Sequence, residues 1–231
     1  MKSINSIIFL LLGLIGSVFS QTGKIQLSIT PTFGVNALHV TDAGFQTNDS
    51  SILQITELKF YISKIQFLKN GKVVIEEMNS FQLVDAANEK PFSVSIDNKQ
   101  NIPFDELRIN LGIDSATNVS GAMGGDLDPT KGMYWTWQSG FINFKLEGKC
   151  NVCQTRNKEF TFHLGGYQQP FYALQMLSFP LKNTNQINLI VDAKKILHQI
   201  DLEKINQIMS PSHEAVLLSK VVADAITVSE K

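Results

Sequence analysis

The sequence predicts an all-β protein, either a sandwich or a barrel, with an α-helix near its C-terminus. Short segments with a two-residue apolar period follow one another along most of the chain, and turn-forming residues separate them. No helical segments alternate with these strands, which argues against a parallel α/β sheet. Only the last thirty or so residues have apolar positions at helical spacing.

About ten segments have the alternation of a half-buried strand. They are residues 25–29, 55–68, 73–75, 81–84, 92–96, 107–111, 141–147, 159–164, 174–179 and 187–191. The longest predicts a bulge near Ser63, where the period is interrupted. Asn70-Gly71 predicts a tight hairpin turn. Segments 141–147 and 159–164 predict a second hairpin that carries both cysteines at its tip.

Ser210 and Pro211 predict the start of the C-terminal helix, as N-cap and first helical residue. Its apolar stripe contains Ala215, Leu218, Val222 and Ala225, widened by Val221 and Ile226. A shorter helix is predicted over 201–208. The chain has no internal repeat, low-complexity tract or linker, so residues 21–231 are predicted to form one domain.

The N-terminus predicts an export signal over residues 1–20. Lys2 precedes an apolar run over 7–15, and small residues at Val18 and Ser20 favour cleavage before Gln21. The run is too short for a membrane span, and no second run of spanning length follows. No cysteine stands at the cleavage point for a lipid anchor. The mature chain is therefore expected to be soluble and periplasmic or extracellular.

Charge and motifs disfavour several classes of function. The net charge is −1 and the basic residues are scattered, which argues against nucleic-acid binding and against docking on anionic membranes. The chain has no nucleophile elbow, no phosphate-binding glycine loop and no evident pair of catalytic carboxylates. An enzyme is the least favoured interpretation.

The two cysteines, Cys150 and Cys153, have the spacing C-x-x-C. A structural zinc site usually needs four ligands, and no second pair exists. In an exported protein the favoured interpretation is a local disulfide, with a soft-metal pair of thiolates as the alternative.

The segment 112–132 is rich in turn formers and carboxylates. Asp114, Asn118, Asp126 and Asp128 could supply the oxygen ligands that calcium prefers. Turn chemistry explains the same residues, and it is favoured because the spacing of an EF-hand is missing.

Both tryptophans lie in the short segment 132–140. In an uninterrupted strand from Met133 to Glu147, Trp135 and Trp137 would share one face. His163 would lie on the same face of the sheet, since Phe160, Phe162 and Leu164 occupy the other face of its strand. A bulge at Gly140 would break this register. Packing explains the tryptophans and surface exposure explains His163; the functional alternative is a soft-metal site.

Three further histidines stand in separate settings. His39 lies in a predicted loop, His198 follows a strand end, and His213 lies in the first turn of the last helix. No H-x-H or H-x-x-x-H pair exists, so a metal site would have to be assembled from distant segments.

Several motifs together resemble the MbnP-like family of exported copper-binding proteins. They are G-I-D-S at 112–115, G-D-L-D-P-T-K-G-M-Y-W-T-W-Q-S-G-F-I-N-F-K-L-E-G at 125–148, F-H-L-G-G-Y at 162–167, L-K-F-Y-I-S-K-I at 58–65 and I-M-S-P-S-H-E-A at 208–215. The motif with the two tryptophans is long and specific, and the others come in the expected order.

This resemblance implies a single-domain antiparallel β-sandwich with a C-terminal helix that binds copper, Cu(I) or Cu(II). In characterised family members a tryptophan is oxidised to kynurenine by a dihaem protein related to cytochrome c peroxidases, and the new amine joins histidines as a copper ligand. By motif, Trp135 is the first candidate for modification and Trp137 the second. His163 is the best-matched histidine ligand, and His39 is a weaker one. The alternative function is a metal-free binding module with an exposed aromatic face for a sugar or a protein.

Overall fold

The computed structural model describes residues 23–40, 44–46, 52–78, 81–88, 90–182 and 184–230. The predicted signal peptide and the cleavage before Gln21 lie outside these residues. No helix in the described part of the chain combines the length and the apolar character needed to cross a bilayer.

The described residues form many short strands and few helices. The strands are β1 Lys24–Phe33, β2 Asn36–Ala37, β3 Phe45–Gln46, β4 Ile52–Lys69, β5 Lys72–Glu76, β6 Phe81–Asp85, β7 Phe92–Asp97, β8 Glu106–Leu111, β9 Tyr134–Trp135, β10 Gly140–Cys150, β11 Glu159–Gly165, β12 Tyr167–Gln168, β13 Phe171–Tyr172, β14 Gln175–Pro180, β15 Gln186–Asp192, β16 Gln207–Ile208 and β17 Ile226–Glu230. The helices are α1 Ser115–Ser120, α2 Ala193–Leu197 and α3 His213–Asp224, with 3-10 turns at Gly125–Leu127 and Pro129–Lys131.

Two sheets enclose the main core, as predicted for a β-sandwich. Within the described residues, β1, β2, β7, β15 and β17 form a five-stranded sheet, and ten strands around β4 and β10 form the larger sheet. Pairing is antiparallel except between β1 and β15 and between β11 and β16. Side chains of both sheets meet in one apolar core, for example Leu27 and Leu189 from the small sheet and Phe60 and Phe144 from the large one.

The turn signals of the long strand are confirmed. Asn70 and Gly71 have φ angles of 50° and 75°, the left-handed pair that a two-residue hairpin turn needs, and they join β4 to β5. The bulge expected near Ser63 is present: Lys64 has a φ of 51°, and the pairing of β4 with β8 shifts between Ser63 and Gln66.

The C-terminal helix exists, but it begins later than predicted. Ser212, not Ser210, is the N-cap, and its Oγ accepts a hydrogen bond from Ala215 N at 3.1 Å. Ala215, Leu218 and Val222 are buried in the main core, so the predicted apolar stripe is correct. Ile226 is not helical, because it begins β17, a strand that the sequence analysis missed and that pairs with β15.

Replacing Ser212 by alanine tests this cap. We expect the S212A variant to lose about 1 kcal/mol of unfolding free energy, because the N–H of Ala215 loses its acceptor at the helix start. Urea unfolding measures the change. The S210A variant is the matched control, since Ser210 is exposed, and it should change stability by less than about 0.5 kcal/mol. Equal losses in both variants would contradict the cap assignment.

The short helix predicted over 201–208 is wrong. Residues 202–204 form a turn, and β16 adds to the edge of β11 in parallel. Thr161 N donates to Asn206 O at 2.8 Å, so this segment meets backbone groups that the edge of the sheet would otherwise leave unpaired. The helix nearby is α2 instead, whose N-cap Asp192 accepts from Lys194 N.

Candidate metal centre

The large sheet has a second face, turned away from the main core, which we call the outer face. Strand alternation directs Phe162 and Leu164 of β11 into the main core and His163 to the outer face. On the neighbouring β10, Lys145 and Glu147 share this face with His163, as the sequence predicted. The outer face therefore carries polar groups in the middle of the sheet.

The two tryptophans belong to a hairpin, so the strand from Met133 to Glu147 is interrupted just before Gly140, where the sequence analysis allowed for a bulge. β9 pairs with the start of β10, with Trp135 opposite Gly140, and residues 136–139 form the turn. Trp137 lies in that turn and is 65% exposed, whereas Trp135 is 6% exposed. The rings still touch, with centroids 5.9 Å apart. The glycine-bounded motif thus presents one buried and one exposed indole.

Trp135 is part of a small apolar cluster on the outer face, separate from the main core. Its other buried members are Tyr61, Ile113, Leu127, Met133, Phe141 and Ile142. The six-membered ring of the indole packs against Gly165 of β11: a Cβ built on Gly165 would be 2.6 Å from Cζ3 of Trp135 and 2.7 Å from the carbonyl oxygen of Phe141. Only glycine leaves room for the ring at this position.

This contact places Trp135 on the same face of the sheet as His163. Residues 163 and 165 are two apart on β11, so their side-chain directions lie on the same face of the sheet. The indole that covers Gly165 therefore lies on the same side of the sandwich as the imidazole. The sequence analysis expected a common face for these two residues only in an uninterrupted strand, whereas in the structure a hairpin produces it.

His163 is not the surface imidazole of the simpler interpretation. It is 9% exposed, and its Nε2 lies 2.6 Å from Oε1 of Glu147. Burial lowers the pKa of His163 below its ordinary value of 6.5; the hydrogen bond to Glu147 opposes this shift and the charge of Lys145 adds to it. At neutral pH the ring is therefore neutral, which is the form that binds metals.

A row of alternating charges, which we call the charge ladder, crosses four strands from His163. Glu147 Oε1 lies 3.4 Å from Lys145 Nζ, and Lys145 Nζ lies 2.9 Å from Glu57. Glu57 in turn lies 2.9 Å from Lys59, which lies 3.5 Å from Asp85. The sequence analysis missed this ladder, because alternation shows which residues face outward but not which strands are neighbours.

The ladder and His163 together predict acid sensitivity. Burial works to raise the pKa of Glu57, but hydrogen bonds from Lys145 and Lys59 outweigh it, and the pKa falls below 4.5. The unfolded chain therefore takes up protons at higher pH than the folded chain at both groups, so their stabilisation is complete above pH 6.5 and is lost as pH falls. We expect the urea concentration at the unfolding midpoint to decrease as the pH falls below 6.5, and to decrease further as the pH falls below 4.5. An H163Q variant should lose only the decrease below pH 6.5. If that decrease were unchanged in H163Q, its assignment to His163 would be contradicted.

The carboxylates of the predicted calcium loop have separate structural roles. Asp114 caps α1 by accepting from Thr117 N, and Asp128 caps the second 3-10 turn by accepting from Thr130 N. Asp126 accepts from Leu83 N at 2.9 Å and pairs with Lys131 at 2.6 Å. Asn118 is buried and accepts from Phe141 N, which ties α1 to the tryptophan hairpin. This is the turn and cap chemistry that the sequence analysis favoured over calcium.

His39, the weaker ligand candidate, lies apart from His163. His39 is exposed and borders a small cleft with Asp85. Asp85 stands three strand positions from His163, about 14 Å at the usual strand spacing. Among the described residues no three or more His, Cys, Asp or Glu side chains are grouped for a metal ion. In its unmodified form the outer face therefore carries one imidazole, His163, and one buried indole, Trp135, on the same side of β11.

The two cysteines lie at the tip of the hairpin of β10 and β11, as predicted. Both are buried, and in the thiol form the pKa of Cys153 is raised to about 12 by burial and by the adjacent Cys150. Buried thiols of raised pKa are poor nucleophiles and poor metal ligands at neutral pH. The disulfide between them stays a prediction.

Comparisons with known proteins agree on one family. The MbnP family model matches residues 22–210. Among solved structures, MbnP from Methylosinus trichosporium matches with a TM-score of 0.63 at 10% sequence identity, covering 90% of this chain and 98% of that one. No curated protein sequence is significantly similar to the chain.

Proposed function

Because the chain belongs to the MbnP family, we propose that it is an exported copper-binding protein without catalytic activity of its own. Copper would be held by His163 together with a nitrogen made available by oxidation of Trp135. The observation that carries this proposal is the contact of Trp135 with Gly165, two residues from His163 on the same face of β11. The copper would serve acquisition or storage outside the cytoplasm.

An intact indole cannot complete such a site. Its nitrogen lone pair belongs to the aromatic system, and its N–H acts only as a donor. Oxidative cleavage of the bond between C2 and C3 gives N-formylkynurenine, and hydrolysis then releases formate and leaves a free arylamine. Two molecules of hydrogen peroxide would supply the two oxygen atoms and leave as two waters. A dihaem partner of the peroxidase type would activate the peroxide.

The burial of the site and the negative charge of the ladder favour Trp135 as the modified residue and Cu(I) as the bound ion. An arylamine and a neutral imidazole in a buried setting suit Cu(I), which accepts few ligands. With His163 neutral, the charge ladder holds three carboxylates and two ammonium groups, so a bound cation offsets an excess negative charge. Trp137 remains the second candidate for modification, since it is exposed to a partner and in ring contact with Trp135.

The test uses protein purified from its native host. Under anaerobic titration with Cu(I) against a chromogenic chelator, we expect about one copper per chain. Peptide mass spectrometry should show the mass of kynurenine in the peptide that holds Trp135. Native protein that retains unmodified tryptophans and takes no copper from the chelator would contradict the proposal. Recombinant protein made without the partner should bind copper more weakly, and that difference measures the contribution of the modification.

A metal-free binding module is the second candidate function, favoured by a cleft beside the tryptophan hairpin. The cleft holds about 250 Å³, and its lining includes no charged side chain. The lining residues are Gln138, Gly166, Tyr167, Gln168, Gln169, Phe171 and Pro211. Amide groups beside aromatic rings suit a neutral sugar, because amides both donate and accept hydrogen bonds. Equal glycan binding by chelator-treated and copper-loaded protein would favour this function, and no binding to a glycan array would contradict it.

A further inference from the structure

We propose that Glu147 is a positioning residue that fixes the tautomer of His163, with the proton on Nε2 and the lone pair on Nδ1. If copper binds here, as the proposed function states, the ligating atom is then Nδ1. The tautomer assignment itself stands on the geometry of the copper-free chain.

The hydrogen-bonding partners decide the tautomer. The carboxylate of Glu147 only accepts hydrogen bonds, and its Oε1 lies 2.6 Å from Nε2, so Nε2 must donate. A neutral imidazole has a single N–H, which leaves Nδ1 unprotonated. Because His163 is buried, water competes little for this bond. A carboxylate that takes the second N–H of a histidine is the usual support of a ligating imidazole.

The charge ladder holds Glu147 in place. Lys145 Nζ lies 3.4 Å from the same Oε1 that contacts His163, and it is itself held by Glu57 at 2.9 Å. Lys59 holds Glu57 from the other side, again at 2.9 Å. The carboxylate therefore has a second partner besides the histidine, Lys145 on β10, and Glu57 on β4 holds that lysine in turn.

The direction of the bond keeps this nitrogen away from the tryptophan. In the register of the hairpin, Glu147 stands opposite Thr161, on the side of His163 that leads to the cysteine loop. Gly165, which Trp135 covers, lies on the opposite side of His163 along the strand. Nε2, which donates to Glu147, therefore points away from the indole, and Nδ1 is the nitrogen that is left to bind a metal ion.

Ring nitrogen NMR of the copper-free protein tests the tautomer directly. Long-range ¹⁵N–¹H spectra at neutral pH, with His163 assigned from its missing signals in an H163Q variant, should show a protonated Nε2 and an unprotonated Nδ1. The E147A variant should show both tautomers in exchange, while E147Q, whose amide oxygen can still accept, should keep the original one. The E159A variant is the matched control, because Glu159 lies on the same hairpin but not on the ladder, and it should leave the ring signals unchanged.

Measurements of Cu(I) affinity distinguish the positioning role of Glu147 from the proposed copper-binding function. In kynurenine-containing protein we expect E147A to bind Cu(I) 10- to 100-fold more weakly, with E159A unchanged. A protonated Nδ1 in the wild-type protein, or an unchanged tautomer in E147A, would overturn the role of Glu147. The expected tautomer in a protein that binds no copper would refute the copper function and support the positioning role.

Discussion

Substituting His163 with glutamine is expected to weaken Cu(I) binding by more than about 100-fold, a larger loss than the one expected for removing Glu147. Among the described residues, His163 is the imidazole that shares a strand and a face with the position covered by Trp135. Glutamine can still donate to Glu147, so the charge ladder keeps its partner while the metal loses its nitrogen ligand. Competition with a Cu(I) chelator measures the loss in kynurenine-containing protein.

Two histidine controls separate ligation from general effects. The H213Q variant removes an exposed histidine at the start of α3, and it should bind copper as the wild-type protein does. H39Q tests the weaker ligand predicted by resemblance, and we expect it to be unchanged as well, because His39 lies in the cleft beside Asp85. Near-UV circular dichroism verifies that each variant is folded. A loss in H39Q equal to that in H163Q would refute a site centred on β11 alone.

Substituting Gly148 with alanine is expected to cost about 3 kcal/mol of unfolding free energy, the upper range for overpacking a core. Gly148 lies in β10, where the register with β4 shifts, and it is buried. An added methyl group would overlap the carbonyl oxygen of Gln54 and lie 2.5 Å from Cζ of Phe160. The carbonyl belongs to the paired backbone of β4 and cannot move away without breaking the sheet. Urea unfolding measures the loss.

Gly124 is the matched control for this substitution. Its φ of −94° suits any residue, and an added Cβ would meet no atom within 4 Å. We therefore expect G124A to change stability by less than about 0.5 kcal/mol. If G148A unfolded at the same urea concentration as G124A, the close approach of β4 and β10 at Gly148 would be wrong.

Local patterns predicted most strands and several turns of this protein. Alternation in segments such as 159–164 gave correct core faces, because a buried face requires apolar side chains at every second position. Asn70-Gly71 was sufficient for its turn, since few other residues adopt two successive left-handed conformations. The errors fell where tertiary contacts outweigh local preference. Residues 207–208 pair with the edge of β11, and β17 follows α3 because β15 offers an unpaired edge.

The candidate site was predicted only in part, because sequence patterns give the face of each residue on its own strand but not its neighbours on other strands. The sequence placed Lys145, Glu147 and His163 on one face, but their mutual contacts depend on the register of two strands. Trp135 reached the same face through a hairpin that the alternation of 133–147 did not reveal. Gly165 would have been the informative residue, because a glycine inside an apolar strand often marks the close approach of another group.

The sequence alone determined the strand periodicity, the direction of each side chain relative to its own strand, and the presence of an unusual pair of tryptophans and of His163 in a separate strand segment. These follow from covalent geometry and solvent exclusion, which act within a few residues. The hydrogen bond between His163 and Glu147 and the packing of Trp135 against Gly165 were decided only by the tertiary structure. Backbone hydrogen bonds are alike in every strand, so only the packing of the complete sandwich selects which strands become neighbours and in which register.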